Sequence, residues 1–404
     1  MNGAGNRVVV GGAELTWADL PELGLPSPAA VLVAGGRDAL AAVRTHAGRG
    51  TELLVASVTR ADPALRAELR EAGFALVTPA DGGVEPATAA RPPEPGRLWL
   101  LTSGSTGRPK RIGHTLASLT TVRGPQAPRT WLCPYSPGTY AWWQVVTLSL
   151  TQPGQDLVVI EPAELEAWPG IAAAHGVTAA SGTPTFWRQT IYRDADALAK
   201  VPLEQLTLGG EPVDQAILDQ LAELFPAARI SWIYASSEVG ASIVVHDGRA
   251  GFPVAWLDRA APDRPTLSVD GEELVITSPF SGAGLAGPVR TGDRVEIVAD
   301  RVIITGRLDS DEINVGGSKV SAGVVRGVLL AHPGVAWARV TSRRSPLVGR
   351  MVVAEVVPAA ASAEPPDQAA LTRWCADRLP DYGVPRLIRF LDQIPAKETL
   401  KSDV

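Results

Sequence analysis

Apolar strands and amphipathic helices alternate along the first eighty residues, and this pattern leaves few folds open. Ala29–Ala34 reads as a buried strand, Asp38–Ala47 as an amphipathic helix and Glu52–Ser57 as a second strand. Asp62-Pro63 supplies a cap and a first-turn proline for a helix through Glu71, and Phe74–Thr78 reads as a third strand. A β-α-β-α-β order of this kind predicts a parallel sheet layered with helices. Residues 81–96, rich in Pro, Gly and Ala, read as a linker. The alternation then resumes. Arg111–Val122 reads as a helix, with Ile112, Leu116 and Leu119 on one face. Leu157–Ile160, Val177–Ser181, Gln205–Leu208 and Arg229–Tyr234 read as strands. Ala163–His175, interrupted at Pro169, a segment opening near Pro184, and Val213–Phe225 read as helices.

After residue 240 the texture changes to hairpins, pairing Thr266–Val269 with Glu273–Thr277 and Arg294–Val298 with Arg301–Thr305. From about residue 310 the pattern is mixed, with helices at Ser321–Ala331 and Gln368–Leu379 and strands at Ala336–Thr341 and Met351–Val357. The expected architecture is α/β. A large N-terminal domain, 1–308, holds layered, mostly parallel sheets and a β-rich subdomain at 241–308. A small α+β C-terminal domain occupies 309–404. Within the large domain, 1–95 reads as a βαβ subdomain and 97–240 as the part that carries the polar loops.

The chain has 404 residues, 45% of them apolar, which is enough for substantial cores, and a net charge of −6 with no basic stripe to suggest nucleic acid. No apolar run reaches the ~18 residues of a spanning helix, and Met1–Gly12 lacks a signal-peptide pattern. Cys133 and Cys375 stand far apart, without metal-ligand spacing. They read as buried thiols of a reducing, cytoplasmic compartment. The five histidines form no ligand cluster, so no protein-built metal site is expected, while a Mg²⁺ carried by a nucleotide stays open.

The most specific segment follows the apolar run Leu98–Leu101. It reads Thr102, Ser103, Gly104, Ser105, Thr106, Gly107, Arg108, Pro109, Lys110. Two glycines let the backbone approach closely, hydroxyls and N–H groups donate, and Lys110 adds a charge, so the loop suits a polyphosphate. It is not a Walker A loop, in which Gly and Lys are adjacent. An ordinary Ser/Gly surface loop is the competing reading. Two more polar loops follow predicted strands: Gly209-Gly210-Glu211-Pro212 and Tyr234-Ala235-Ser236-Ser237-Glu238. If the strands are parallel, all three loops gather on one sheet edge, where ligands of open α/β sheets bind. Glu238 beside phosphates calls for an intervening Mg²⁺, against the alternative of a solvated loop acid. Asp293, on a turn in Arg290–Asp293, suits the two hydroxyls of a ribose or serves only the turn. Tyr135, Tyr140, Trp142 and Trp143 fall within ten residues. They read either as a flat pocket wall or as core packing, since Tyr140, Trp143 and Val146 share a helix face. Ser181-Gly182-Thr183-Pro184 is a second pocket edge, its glycine leaving room for substrate.

Taken in order, these segments resemble the adenylate-forming superfamily of acyl-CoA synthetases, aryl acid ligases and peptide-synthetase adenylation domains, over about residues 97–404. The resemblance rests on Thr102–Lys110, Gly209–Pro212, Tyr234–Glu238, Thr291-Gly292-Asp293, Gly306-Arg307-x-Asp309, and Ile394-Pro395 with Lys401 six residues after the proline. It implies an AMP-forming acid–thiol ligase that uses ATP and Mg²⁺. A carboxylic acid, aryl by preference, becomes an acyl-adenylate with release of pyrophosphate and then passes to CoA or to the phosphopantetheine of an acyl carrier protein. The small domain would be mobile between the two steps. By the same resemblance, Lys401, Glu238 and Lys110 are catalytic and Glu238 holds the metal. Thr102–Gly107, Gly210, Glu211, Pro212, Tyr234–Ser237, Asp293 and Arg307 bind the nucleotide. Tyr135, Tyr140, Trp143, Ser181, Gly182, Thr183 and Gly209 line the acid pocket. Asp309 or Asp311 is the hinge, and Gly316, Gly317 and Lys319 face the thiol.

The chain also departs from that pattern. Ala235 and Ser237 replace a glycine and a threonine, Leu400 stands where a glycine usually precedes the lysine, and Asn314 stands where a lysine is common. One extra residue lies between Arg307 and Asn314, no histidine follows Pro134, and the N-terminal segment is abridged. These departures keep two other readings in view: adenylation followed by amide formation or activation of an unusual oxyanion, and a nucleotide- or acyl-binding protein without turnover.

Overall fold

A computed structural model describes residues 2–102, 109–122, 124–260, 263–285, 287–308, 311–345, 349–360, 365–395 and 400–401. Its largest sheet has eight strands in the order Gly240–Val245, Arg229–Ser236, Gln205–Gly209, Ala179–Gly182, Arg129–Cys133, Gln155–Val159, Arg7–Val10, Ala13–Thr16. All neighbours are parallel except the outermost pair at each edge. A six-stranded sheet runs Gly83–Glu85, Ala75–Thr78, Ala29–Val33, Leu53–Ser57, Arg97–Thr102, Lys110–Thr115, with a parallel centre. Ala29–Val33 and Leu53–Ser57 are buried at every position, which is why they read as unbroken apolar runs. The helix Tyr140–Thr151 belongs to the shared core and is apolar around most of its circumference. The Gly36 amide, at the start of a helix over the six-stranded sheet, donates to Glu161 Oε1 at 2.7 Å beyond the end of an eight-stranded-sheet strand.

Three expectations change here. The segment 1–95 is not one βαβ unit, because Arg7–Val10 and Ala13–Thr16 extend the other sheet; Val8 and Val9 pair with Leu157 and Val158. Residues 111–122 are not one helix. Lys110–Thr115 pairs antiparallel with Arg97–Thr102, and only Leu116–Leu119 turns helical, behind a Thr115–Ser118 capping box. Pro169 does not interrupt a helix but sits in the first turn of Trp168–Ala174, where its missing N–H costs no hydrogen bond.

Beyond residue 245, a five-stranded sheet is antiparallel throughout and carries the long hairpin Val289–Val298 / Arg301–Arg307. The small C-terminal domain has its own core under a three-stranded sheet, Val335–Ser345, Gly349–Pro358 and Leu387–Phe390. It docks on the large-domain helix Pro184–Ala199. Gln189 Nε2 donates to the Ile394 carbonyl at 2.9 Å and Tyr192 Oη to the Asp392 carbonyl at 3.1 Å. Trp337, Val357 and Ile394 form a buried cluster against which Tyr192 packs. Both cysteines are free and buried, and burial pushes the Cys133 thiol up to about 12. Among the described residues, no helix is long and apolar enough to cross a membrane.

Candidate active site

Gln205–Gly209 and Arg229–Ser236 are adjacent parallel strands, so Gly210–Pro212 and the loop to Glu238 leave one sheet edge side by side. The strands that flank the phosphate-type loop belong to the other sheet. Thr102 and Lys110 form the last rung of an antiparallel hairpin in the six-stranded sheet, which corrects the expectation of one common sheet. Ser103, Gly104, Ser105, Thr106 and Gly107 lie outside the described residues. His114 joins the two sheets: its Nε2 lies 2.7 Å from the Ser237 carbonyl, an acceptor, so Nε2 carries the proton. Burial holds its pKa below the ordinary histidine value, with Arg97 acting the same way. The Ala283 amide donates to Gly113 O at 2.7 Å and the Gly282 amide to Glu238 O at 2.9 Å. The backbone of the half-buried Glu238 is therefore held at its carbonyl by the Gly282 amide. Ser236 Oγ accepts from the Glu238 and Val239 amides at 3.2 and 3.3 Å, which shapes the turn.

Asp293 is not on a turn. It lies inside the strand Val289–Val298, cross-strand from Arg307. Tyr234 Oη donates to Asp293 Oδ2 at 2.5 Å and Arg307 Nη1 to Asp293 Oδ1 at 2.9 Å, and the Asp293 side chain is 12% exposed. Burial, reinforced by the Asp293 charge, raises the Tyr234 pKa well above the ordinary phenol value, so its hydroxyl stays a donor. Each carboxylate oxygen accepts from one side chain here and keeps a second acceptor position, the capacity that two ribose hydroxyls require.

Gly210 has φ +82, and a Cβ there would sit 3.1 Å from Lys401 Cε and 3.5 Å from Lys401 Nζ. The missing side chain is what lets the lysine in. Glu211 accepts from the Thr185 amide at 2.9 Å and Thr185 Oγ1 at 3.0 Å, at the first turn of Pro184–Ala199, where the helix dipole favours an anion. Lys401 keeps an exposed flank, but crowding removes water from its head group and lowers its pKa; Glu211 opposes the shift and Arg60 adds to it. The Thr183 hydroxyl donates to the Leu400 carbonyl.

The pocket residues divide. Tyr135 Oη and Ser181 Oγ are 3.0 Å apart, and the Ala241 amide donates to Tyr140 Oη at 2.9 Å. Trp143 does not line a pocket: it is 0% exposed and edge-on to Trp142 at 5.0 Å, so core packing accounts for it. Gly182 leaves no room for substrate either, because a Cβ there would meet the Phe186 ring at 2.3 Å. Thr183 caps a helix, accepting from the Phe186 amide at 3.1 Å. Gly209 closes its strand, half-buried.

At the domain junction Asp309 lies outside the described residues. Asp311 is anchored: its Oδ2 accepts from the Arg307 amide at 2.7 Å and occupies the space a Cβ on Gly306 would fill, at 2.0 Å. Gly316 and Gly317, with φ +61 and +93, form the tight turn between Glu312–Val315 and Ser318–Ser321. Lys319 pairs with Glu312 at 2.8 Å, and Glu312 with Arg294 at 3.2 Å. Sequence reading missed Thr183 as the Leu400 partner, His114, and Arg326. Arg326 lies on the small-domain helix Ala322–Leu330; burial lowers its pKa, the Asp214 and Glu211 charges of the large domain oppose this and Arg188 adds to it. No motif marks a lone helical arginine. Among the described residues no group of three His, Cys, Asp or Glu could hold a metal. Glu238 alone fits a hard cation whose remaining oxygens arrive with a nucleotide.

Comparison with known proteins agrees with this geometry. Residues 26–276 match the family model described as AMP-binding enzyme, and residues 327–401 that of the AMP-binding enzyme C-terminal domain. The first match spans more than half of the chain, and the protein belongs to the AMP-binding enzyme family, within the adenylate-forming superfamily. An acetyl-coenzyme A synthetase of Rubrobacter xylanophilus is 26% identical over 305 residues, 64% of this chain and 47% of that protein. The chain spans about half, or less, of the length of the curated relatives it matches. Among solved structures, the anthranilate CoA ligase AuaEII in complex with anthranoyl-AMP aligns with TM-score 0.73 at 16% identity, covering 98% of this chain and 92% of that one. The amide bond synthetase McbA from Marinactinospora thermotolerans aligns with TM-score 0.72 at 22% identity, covering 98% and 95%. These two likenesses establish the fold.

Proposed function

We propose that the protein activates a carboxylic acid with ATP as an acyl-adenylate, releasing pyrophosphate, and passes the acyl group to the thiol of CoA or of a carrier protein's phosphopantetheine. The observation that carries this reading is the placement of Lys401, from the small domain, against Gly210, at the end of the strand paired with the one that carries Tyr234, whose hydroxyl meets Asp293 and its partner Arg307. In this role Asp293 and Arg307 orient the ribose and Tyr234 keeps the carboxylate in place. Gly210–Pro212, Ala235 and Ser236 border the base, and Lys110 and Ser237 meet phosphate oxygens. The Lys401 ammonium stabilises the oxyanions that develop as the acid's carboxylate attacks the α-phosphorus and pyrophosphate leaves. A Mg²⁺ held by Glu238 would neutralise phosphate charge. The acid is aryl in this reading, with Tyr135 and Tyr140 on the pocket side. Residues 309–404 act as the lid that moves between steps, about Asp309 or Asp311, bringing Gly316, Gly317 and Lys319 to the thiol.

Acid-dependent ATP–pyrophosphate exchange tests the reading, across benzoate, anthranilate, 2-succinylbenzoate, acetate, octanoate and the amino acids. Exchange with an aryl acid is the expected result. Absence of exchange with every acid, while ATP still binds, would overturn adenylation and leave a binding role. One observation favours an amine acceptor as the second reading. Asn314, where a lysine is common, accepts from the Gly317 amide at 2.9 Å and offers no cation on the thiol side. Supplying CoA and a simple primary amine in parallel to the enzyme with its adenylate, each against an enzyme-free control, separates enzymatic thioester from amide formation.

A further inference from the structure

We propose that Leu400 and Thr183 are positioning residues for Lys401, together forming a built-in anchor that sets the lysine at the adenylation edge; the assignment of the lysine's task rests on the reading above. Leu400 has φ +61, a left-handed backbone that residues with a Cβ rarely adopt. Such a conformation persists where the surroundings over-determine it. Two contacts do so here. The Leu400 side chain is 3% exposed and belongs to the large-domain core, although the residue comes from the far end of the small domain. Its carbonyl accepts from Thr183, which is itself immobile: 1% exposed, and spending its oxygen as acceptor for the Phe186 amide at the start of Pro184–Ala199. Lys401 is the next residue, so fixing the Leu400 carbonyl and side chain fixes where the lysine chain starts. The Gly210 notch then receives Cε and Nζ. A glycine at position 400 would adopt the same backbone without strain but has no side chain to bury. In this chain the backbone freedom is exchanged for an apolar plug, which removes from Lys401 the wandering that a lysine on a loose tail would have. Leu400 and Thr183 touch neither nucleotide nor acid in this assignment; they act through the lysine.

The test reads the position of Lys401 without any substrate. Carbodiimide treatment of the full chain, followed by peptide mass spectrometry, reports amide formation between Lys401 and Glu211, the residue after the Gly210 that Lys401 meets and the carboxylate whose charge acts on the lysine. Wild type should give this cross-link. Leu400→Gly and Thr183→Val should lower its yield at least fivefold, while Leu400→Met and Thr183→Ser, which keep the plug and the hydroxyl, should retain it. In the exchange assay Leu400→Gly should lower kcat at least tenfold with the KM for ATP within twofold of wild type. A wild type without the cross-link, or Gly and Val variants that cross-link as well as wild type, would overturn the anchor. A kcat loss matched by an equal rise in the KM for ATP would do the same, since it would signal general damage to the site. Failure of the adenylation reading looks different: no acid supports exchange in wild type, while the cross-linking pattern stands.

Discussion

A terminal-segment lysine contributes to phosphoryl chemistry only as a charge at a defined point, and Lys401 acquires that point from Gly210, Thr183 and Leu400. Lys401→Ala should lower acid-dependent exchange about 10²–10³-fold, as removal of an oxyanion donor does elsewhere, with little change in ATP affinity. The sign of its pH dependence follows from its surroundings. Loss of water lowers the Lys401 pKa, Arg60 adds to this, and Glu211 opposes it. The ammonium is thus lost as pH rises through a value below the ordinary lysine range, and exchange falls on that alkaline limb. Lys401→Arg, charged throughout, should lack the limb; a limb unchanged in that variant would assign it to another group. Asp293→Ala should raise the KM for ATP about 10–150-fold, the worth of ~1.5–3 kcal/mol for bonds to a charged group, with a smaller effect on kcat. Lys401, Asp293, Tyr234 and Glu211 are legible in the sequence because motif spacing names them. The Thr183–Leu400 contact is not, since its partners stand 217 residues apart and neither residue type is marked for catalysis.

Among the elements, the strand pairing under the phosphate-type loop depends on one buried acid. Glu52 is 0% exposed and accepts from Arg91 Nη2 at 2.5 Å, the Glu94 amide at 2.6 Å and Trp99 Nε1 at 2.7 Å. It ties the start of Leu53–Ser57 to the linker and to Arg97–Thr102, the strand that carries Thr102. Glu52→Ala takes one acceptor from Arg91, which keeps the Ala72 and Pro92 carbonyls, and the acceptor of the Trp99 N–H, and should destabilise the domain by about 1–3 kcal/mol in denaturant unfolding. Burial by itself would raise the Glu52 pKa, but the Arg91, Glu94 and Trp99 donors outweigh it and hold the value below the usual glutamate range. A depressed carboxylate stabilises the fold above its unfolded value and loses that contribution as pH falls through the folded one. The acid limb of the stability curve should therefore flatten in Glu52→Ala; an unchanged limb would sink this assignment. Alternation along the chain reveals Ala29–Val33 and Leu53–Ser57 because each is a short, unbroken apolar run, but it passes over Arg129–Cys133 in the middle of the eight-stranded sheet, where Arg129 and Thr130 break the apolar pattern. It misassigns Lys110–Thr115 because Ile112, Leu116 and Leu119 mimic a helix face, while antiparallel pairing to Arg97–Thr102 decides the backbone. Arg7–Val10 and Ala13–Thr16 escape notice for a related reason: four-residue strands carry too little periodicity, and their place beside Gln155–Val159 depends on a partner far along the chain.

At the scale of the whole molecule, the proposed function depends on how firmly the small domain sits on the large one. The change of texture near residue 310 reveals that a second domain exists. The docking surface is not legible, because Trp337, Val357 and Ile394 read as ordinary core residues and Tyr192 as a helix surface residue until the two domains meet. Among the described residues the interface includes that apolar cluster, the Leu400 plug and the hydrogen bonds from Gln189 and Tyr192, with the Asp214 charge acting on Arg326. A contact of this kind holds the lysine in place yet remains breakable, as a lid that must also release its product requires. Removing both hydrogen bonds with Gln189→Leu and Tyr192→Phe should cost about 1–3 kcal/mol of docking, since each is worth ~0.5–1.5 kcal/mol net. That corresponds to a shift of about 5–150-fold in the docked-to-undocked ratio. Small-angle scattering should then show a larger radius of gyration, and pyrophosphate exchange should fall, while the large domain's melting temperature stays put because both side chains lie on an already capped helix. If scattering and exchange both match wild type, these bonds do not hold the lid, and docking rests on the apolar cluster and Leu400 alone.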